Sequence, residues 1–474
     1  MTDHRQPGSG QPPDLPPPPG GHPDPDGHLP ASPGHSPPTG PATPDDPGAP
    51  AGSATAPAAP IDPSERNVTL DILRGFAMLG ILLVNMQLFR GALWPAMLGE
   101  APWTGLSDRI IDIATVWFAQ TKFITSFAFM LGLGTAVQMM RSTARGDSPV
   151  GKLPRRFGVL FAIGLLHGLL IWTGDILMLY AICGFALLMF ARMRVRGLLW
   201  WAGGTTTVLA LIGLAFAGLL YWMSTAFGDV EGMDADAGMA FLEPIVDRAM
   251  EVYTAGSYLD QVAFRLLELP FTQMGSLFYA PLLFVLMLLG MAAAKSGMVT
   301  ETERFTGLLK RARLWGLGLG IPLNGIMALG QEAGGGQYAM MGPGGGTEEM
   351  SALVVASLPL IFIAPPILAM GYLATLTLAC RSQTVRARLS PLAAVGRMAI
   401  SAYLFQSIVG TAFFLVTGLY GSASPTVGLA VILAIWAVLL VVCPLWLRRF
   451  RMGPVEWLWR SLTYGHRPPL RARA

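Results

Sequence analysis

Charged side chains are scarce in this chain. They make up 13% of its 474 residues, where a soluble domain carries about 25%. That shortage excludes an ordinary cytosolic enzyme. Cysteine is almost missing as well. Cys183, Cys380 and Cys443 all lie in apolar segments without C-x-x-C spacing, which argues against a structural zinc site or a disulfide framework. Four of the six histidines fall in the first 63 residues and His466 lies near the C-terminus. His167 is then alone in the apolar part, so a multi-histidine metal site is excluded there. The sequence has no Walker A motif, and no G-x-G-x-x-G between a strand and a helix. No nucleic-acid partner and no bound cofactor are expected.

What is present divides unevenly. Residues 1–63 hold 20 of the 38 prolines, seven Asp and one Arg. A segment such as QPPDLPPPPGGHPDPDGHLP cannot bury enough apolar surface to offset its chain entropy, and it favours extended polyproline conformations. It reads as a disordered cytoplasmic tail. It has no apolar h-region, so it is not a cleavable signal peptide. Residues 64–466 are strongly apolar and read as one multi-pass domain, with 467–474 as a short basic tail. The fold class is therefore all-α, a polytopic membrane helical bundle in contact with the lipid bilayer. Arg outnumbers Lys 28 to 4, the bias of a high-GC bacterial source, so the expected location is the bacterial plasma membrane.

A bilayer core takes about 20 apolar residues as a helix. Ten candidate spans follow, near 68–90, 113–140, 157–173, 176–191, 198–223, 273–294, 306–330, 351–379, 393–418 and 426–447. The second is long enough that 108–120 reads equally as an interfacial or re-entrant piece. Lys and Arg concentrate after the even-numbered spans and at the C-terminus, as in Arg141, Arg145, Lys152, Arg155 and Arg156. The positive-inside rule then places both termini in the cytoplasm. The longest outer connection, 224–272, is acidic and is expected to form packed interfacial helices. Small residues such as Gly164 and Gly168 suit close helix–helix packing.

Ionisable groups within spans cost energy, so the ones present are functional candidates. On the first span, Arg74 and Asn85 lie within about 20° of one another and Asp71 about 60° from Arg74. This polar stripe reads either as part of a site or as an anchoring Asp–Arg pair with Asn85 bonding a neighbour. His167 precedes a tight turn containing Asp175. Folded together, the carboxylate orients the imidazole as a general base. Alternatively His167 bonds a carbonyl and Asp175 caps the next helix. Arg397 precedes Tyr403 and Gln406 on the ninth span and suits a phosphate from the cytoplasm or lipid headgroup anchoring. Arg265 and Glu268 suit an acceptor on the outer side or a plain surface ion pair. In RMGPVEWLWRSLTYG, Glu456 and Arg460 stand at i,i+4 and are expected to pair on an interfacial helix rich in Trp.

Four stretches together resemble one family: LDILRGFAMLGILLVN, GLLHGLLIWTGDILMLYA, AVGRMAISAYLFQS and GPVEWLWRSLTYG. In this order they look like the YeiB-like bacterial membrane proteins called domain of unknown function 418, over about residues 66–465. The first span is more remotely similar to the transmembrane acyltransferase superfamily. In the acyltransferase-3 pattern a catalytic His follows the Arg of the LRG-type motif by eleven residues. Here that place is held by Asn85, and an amide is no general base.

Two functional classes follow. In the first, a membrane acyltransferase binds acyl-CoA as co-substrate near Arg74, Arg155, Arg156 and Arg397. His167, oriented by Asp175, activates an acceptor while Asn85 hydrogen-bonds the developing oxyanion. In the second, a transporter carries a small metabolite or lipid past the same polar groups. A scaffold without turnover is the third reading. The oligomeric state is not legible.

Overall fold

The structure is a computed structural model that describes residues 67–91, 94, 105–227, 235–334 and 352–471. The expected tail, residues 1–63, lies outside the described residues. The described chain is helical, with a lone antiparallel bridge between Phe450 and Arg471. In chain order the helices are α1 Val68–Phe89, α2 Leu106–Phe118, α3 Lys122–Ala144, α4 Leu153–Leu170, α5 Leu177–Leu188, α6 Val195–Phe227, α7 Ala235–Thr254, α8 Tyr258–Leu277 and α9 Ala280–Lys295. They continue as α10 Thr306–Gly318, α11 Gly320–Ala333, α12 Ala352–Ser357, α13 Leu360–Ala379, α14 Gln383–Arg388, α15 Ser390–Arg397, α16 Ala399–Thr417, α17 Pro425–Arg449 and α18 Pro454–Tyr464.

Helices α1, α3 and α9 form the centre. α1 packs on α3, α15, α16 and α17, while α3 lies along α9. Close approach explains the sequence here. A Cβ on Gly132 would stand 2.0 Å from the carbonyl oxygen of Met287, and one on Gly290 would stand 1.9 Å from that of Phe129. Only glycine admits this backbone contact. The periphery is apolar instead of polar: α6 exposes Trp200, Leu211, Ile212 and Leu214, and α17 exposes Leu433, Val441 and Leu445. Apolar helices facing outward need a lipid solvent. The protein is a membrane-type helical bundle.

Seven described helices are long and apolar enough to cross a membrane, or eight if one bent pair counts as a span. The expected ten divide differently for physical reasons. α5 has only 12 residues. The 306–330 candidate breaks at Leu319 into α10 and α11, and the 351–379 candidate breaks into α12 and α13. The sixth candidate begins earlier than expected, because α8 and α9 form the pair bent by 56°. Residues 108–120 fall largely in α2, which a short break separates from α3, and the two together, Leu106–Ala144, make one of the seven spans. α2 ends before Thr121, whose φ of 68° turns the chain. Lys122 then donates from Nζ to the carbonyl of Val116 at 2.6 Å, the cation a helix C-terminus favours.

The long connection contains helices, as its sequence implies. α8 opens with a capping box in which Ser257 and Asp260 satisfy each other's backbone N–H groups. The C-terminal residues turn back, and Arg451 N donates to the Leu470 carbonyl at 2.8 Å.

Candidate functional site

The third and fourth candidate spans form a helical hairpin, α4 and α5, joined through Ile171–Ile176. Its turn folds Asp175 back onto α4. His167 Nδ1 lies 2.7 Å from Asp175 Oδ2, and both side chains are buried. A carboxylate only accepts, so Nδ1 carries a proton, and in the neutral ring the lone pair is then on Nε2. Asp175 Oδ1 accepts from Met178 N at 2.9 Å and so caps the first turn of α5. The orienting role and the capping role are thus both filled, one by each carboxylate oxygen.

Gly164 makes this possible. A Cβ there would lie 2.5 Å from Asp175 Oδ1 and 2.8 Å from Met178 N. α8 clamps the same turn from the side. Gln273 Nε2 donates to the carbonyls of Thr173 at 3.1 Å and Asp175 at 3.0 Å. Thr272 Oγ1 also donates to Thr173. The imidazole lies between Tyr403 of α16 and Trp172, with ring centroids 5.1 Å and 6.3 Å away. Its Nε2 is buried with no hydrogen-bond partner among the described residues. A polar atom so placed costs roughly 1–3 kcal/mol, a cost that a substrate proton at that atom would offset.

On the far side of the turn is a small cavity of about 50 Å³. Thr173 and Gly174 line it, as do Arg265 and Glu268. The structure therefore brings these two candidates beside the His167–Asp175 hairpin. Neither the surface ion pair nor solvent exposure describes Arg265, which is 2% exposed. It donates to the Leu170 carbonyl at 3.0 Å and to Gln261 Oε1 at 3.3 Å. Glu268 accepts from the hydroxyl of Tyr253.

The other candidates lie at the opposite, Arg-rich end or between. Asp71 and Arg74 pair at 2.9 Å, with Asp71 buried and the Arg74 side chain 31% exposed. Arg156 lies 3.9 Å over the ring of Trp459 and feels the charges of Arg460 and Arg74. Lys152 sits 5.4 Å over the Tyr464 ring, and Gln138 donates to the Tyr464 hydroxyl at 3.0 Å. Arg155 is near the same turn, 3.6 Å from where a Cβ on Gly465 would stand. Four helices thus gather cations and hydrogen-bonding groups at one place. Arg397 is elsewhere. It ends α15, a helix separate from α16, and donates to the Arg451 carbonyl at 3.2 Å. That contact ties the end of α15 to the segment that precedes α18. Gln406 is buried on α16 and reaches the Met78 carbonyl at 3.4 Å, while its Oε1 has no partner among the described residues. Asn85 is half-buried on α1; the structure brings it into no hydrogen bond with the dyad.

Over 423 residues the chain is 34% identical to the uncharacterized protein YxaH of Bacillus subtilis (strain 168), covering 85% of this chain and 95% of that protein. The chain belongs to the YeiB-like DUF418 family. Residues 293–466 match the family described as protein of unknown function (DUF418). The uncharacterized protein YeiB of Escherichia coli (strain K12) is 31% identical over 412 residues, covering 84% of this chain and 96% of that protein. In this DUF418 protein the dyad lies N-terminal to the matched segment, while Tyr403, Gln406 and two residues of the cavity lining, Thr411 and Tyr420, lie within it.

Sequence reasoning missed the role of Glu456. It does not serve as the partner expected at i,i+4. Its buried carboxylate accepts from Ile400 N at 2.7 Å, from Ser401 N at 3.1 Å and from the Ser401 hydroxyl. It thereby caps α16 from another helix. Burial pushes its pKa above the usual carboxylate range, against the opposing pull of these hydrogen bonds. Gln273, Thr272 and Tyr253 were missed too, because their partners lie far away in the chain and leave no local pattern.

Proposed function

We propose that this protein is a membrane acyltransferase that takes an acyl group from cytosolic acyl-CoA and passes it to an acceptor at the other face. The observation that carries the reading is the buried His167–Asp175 pair, with Nδ1 held at 2.7 Å and Nε2 unpartnered. That is the arrangement a general base requires. His167 Nε2 takes the acceptor's proton while the acceptor O or N bonds to the thioester carbonyl carbon. The C–S bond then breaks, and the imidazolium returns the proton to the departing thiolate. Asn85 and Gln406 are the amides assigned to the developing oxyanion. The cations around Arg156 suit the donor's phosphates. Arg156 precedes His167 by eleven residues on one helix, about 16 Å, a gap that a pantetheine arm spans.

The test uses purified protein in detergent with acyl-CoAs and free CoA. Donor binding raises the melting temperature, by about 2.7 kcal/mol of stabilisation at a hundredfold excess over Kd. The shift should vanish in Arg156→Ala, and His167→Ala should abolish transfer while still binding donor. Full transfer in His167→Ala would remove the mechanism. A second reading, carriage of a small solute, draws on the bent α8–α9 pair, since broken helices occur at transporter sites. Solute movement in vesicles that depends on His167, with no new covalent product, would favour it.

A further inference from the structure

The cavity beyond the hairpin turn has an unusual lining. Its walls are aromatic: Phe89, Trp94, Trp172, Tyr253 and Tyr420. Into these walls are set one cation, Arg265, and one anion, Glu268. They are three residues apart on α8, yet among the described residues they form no ion pair with each other. Tyr253 takes both: its ring lies 5.6 Å under the Arg265 guanidinium, and its hydroxyl donates to Glu268. Thr411 Oγ1 also faces the cavity, buried and without a hydrogen-bond partner among the described residues.

A buried charge without a countercharge is costly. The hydrogen bonds of Arg265 go only to neutral oxygens, of Leu170 and Gln261, and Glu268 acts on it through space without a direct ion pair. A neutral polyol would hydrogen-bond both groups but would give neither a countercharge in direct contact. A ligand with an anion at one end and a cation at the other compensates both. Arg binds a carboxylate through its planar fork, and aromatic walls beside a carboxylate suit an ammonium.

We propose that this cavity binds a small zwitterion carrying a carboxylate and an ammonium group. The carboxylate faces Arg265, the ammonium faces Glu268 and the aromatic walls, and Thr411 supplies one hydrogen bond. The site also names the acceptor class for acyl transfer, and in that respect alone the inference rests on the function proposed above.

The experiment measures binding to the purified full-length protein by calorimetry and by fluorescence of Trp94 and Trp172. The probes are glycine, β-alanine and γ-aminobutyrate, against propylamine, propionate and glycerol. At least one zwitterion should bind ten times more tightly than either singly charged probe. Glu268→Gln should erase its advantage over propionate, and Arg265→Gln its advantage over propylamine. Arg265 also holds the Leu170 carbonyl, so Thr411→Val provides a variant outside that contact. It should weaken zwitterion binding several-fold at an unchanged melting temperature. Glycerol binding as tightly as every zwitterion, or unchanged zwitterion affinity in folded Glu268→Gln and Thr411→Val, would overturn the proposal. Zwitterion binding without any acylated product would leave this site standing and remove the acyl-transfer reading. Transfer to a hydroxyl acceptor with no zwitterion bound would do the reverse.

Discussion

Removing Asp175 should cost two separable quantities, because its two oxygens do different things. Asp175→Ala deletes the acceptor at 2.7 Å from His167 Nδ1 and the one at 2.9 Å from Met178 N. Loss of a helix cap costs about 1 kcal/mol. Leaving a buried donor unsatisfied costs about 1–3 kcal/mol. The expected loss is therefore about 2–4 kcal/mol. Asp175→Asn can retain an oxygen toward Met178 and should recover about 1 kcal/mol of it. His167→Ala removes the other partner. If the two side chains interact as the geometry says, the double variant Asp175→Asn/His167→Ala loses less than the sum of the single variants, by about 1–3 kcal/mol. Equilibrium unfolding in mixed micelles measures all four corners of the cycle. Single effects that add to within about 0.5 kcal/mol would mean that the pair is not coupled, and the base mechanism would lose its orienting group.

Three further outcomes are expected. Gly164→Ala places a Cβ 2.5 Å from Asp175 Oδ1 and should destabilise the protein by about 1–3 kcal/mol, seen as a lowered melting temperature together with lost transfer. Glu456 has a raised folded pKa, so between its unfolded value of about 4.3 and that raised value the folded state holds more protons than the unfolded one. Its contribution to stability therefore falls as pH rises through this window; Glu456→Gln should flatten that part of a melting-temperature profile, and an unchanged slope would assign the dependence elsewhere. Trp459→Phe removes the bond from its indole N–H to the Arg156 carbonyl at 2.9 Å and weakens the stacking at 3.9 Å. It should cost about 1–2 kcal/mol and weaken acyl-CoA binding, both read from thermal shifts.

The bundle was legible because hydrophobic length and lipid thickness are tied together. The site was legible only where its partners are close in sequence. His167 and Asp175 are eight residues apart across a short turn, so a hairpin pairs them with little choice. Arg265 and Glu268 were visible as costly charges, but their cavity was not. It is built by α1, α7, α8, α16 and the α4–α5 turn, and no local pattern reports that meeting. Glu456 shows the same limit from the other side. A helical i,i+4 spacing points to Arg460, yet the N–H groups of Ile400 and Ser401 compete for the carboxylate across 55 or 56 residues. Orphan donors at a helix start attract an anion strongly, and that attraction leaves no trace in spacing.

These contacts give α18 a place in the proposed mechanism that its position after the last span does not suggest. Through Glu456 it holds the start of α16, the helix that sets Tyr403 against His167. Through Trp459 it holds the start of α4, the helix that carries His167 itself. One short helix therefore sets the spacing of the two elements that flank the imidazole, at the end where the cations gather. Binding of an anionic donor around Arg156 would act on the same contacts, since the guanidinium proposed to meet its phosphate is the one stacked on Trp459. Occupancy of the Arg-rich end and the alignment of the base thus share a mechanical element, and loosening α18 should weaken donor binding and disorder the dyad together.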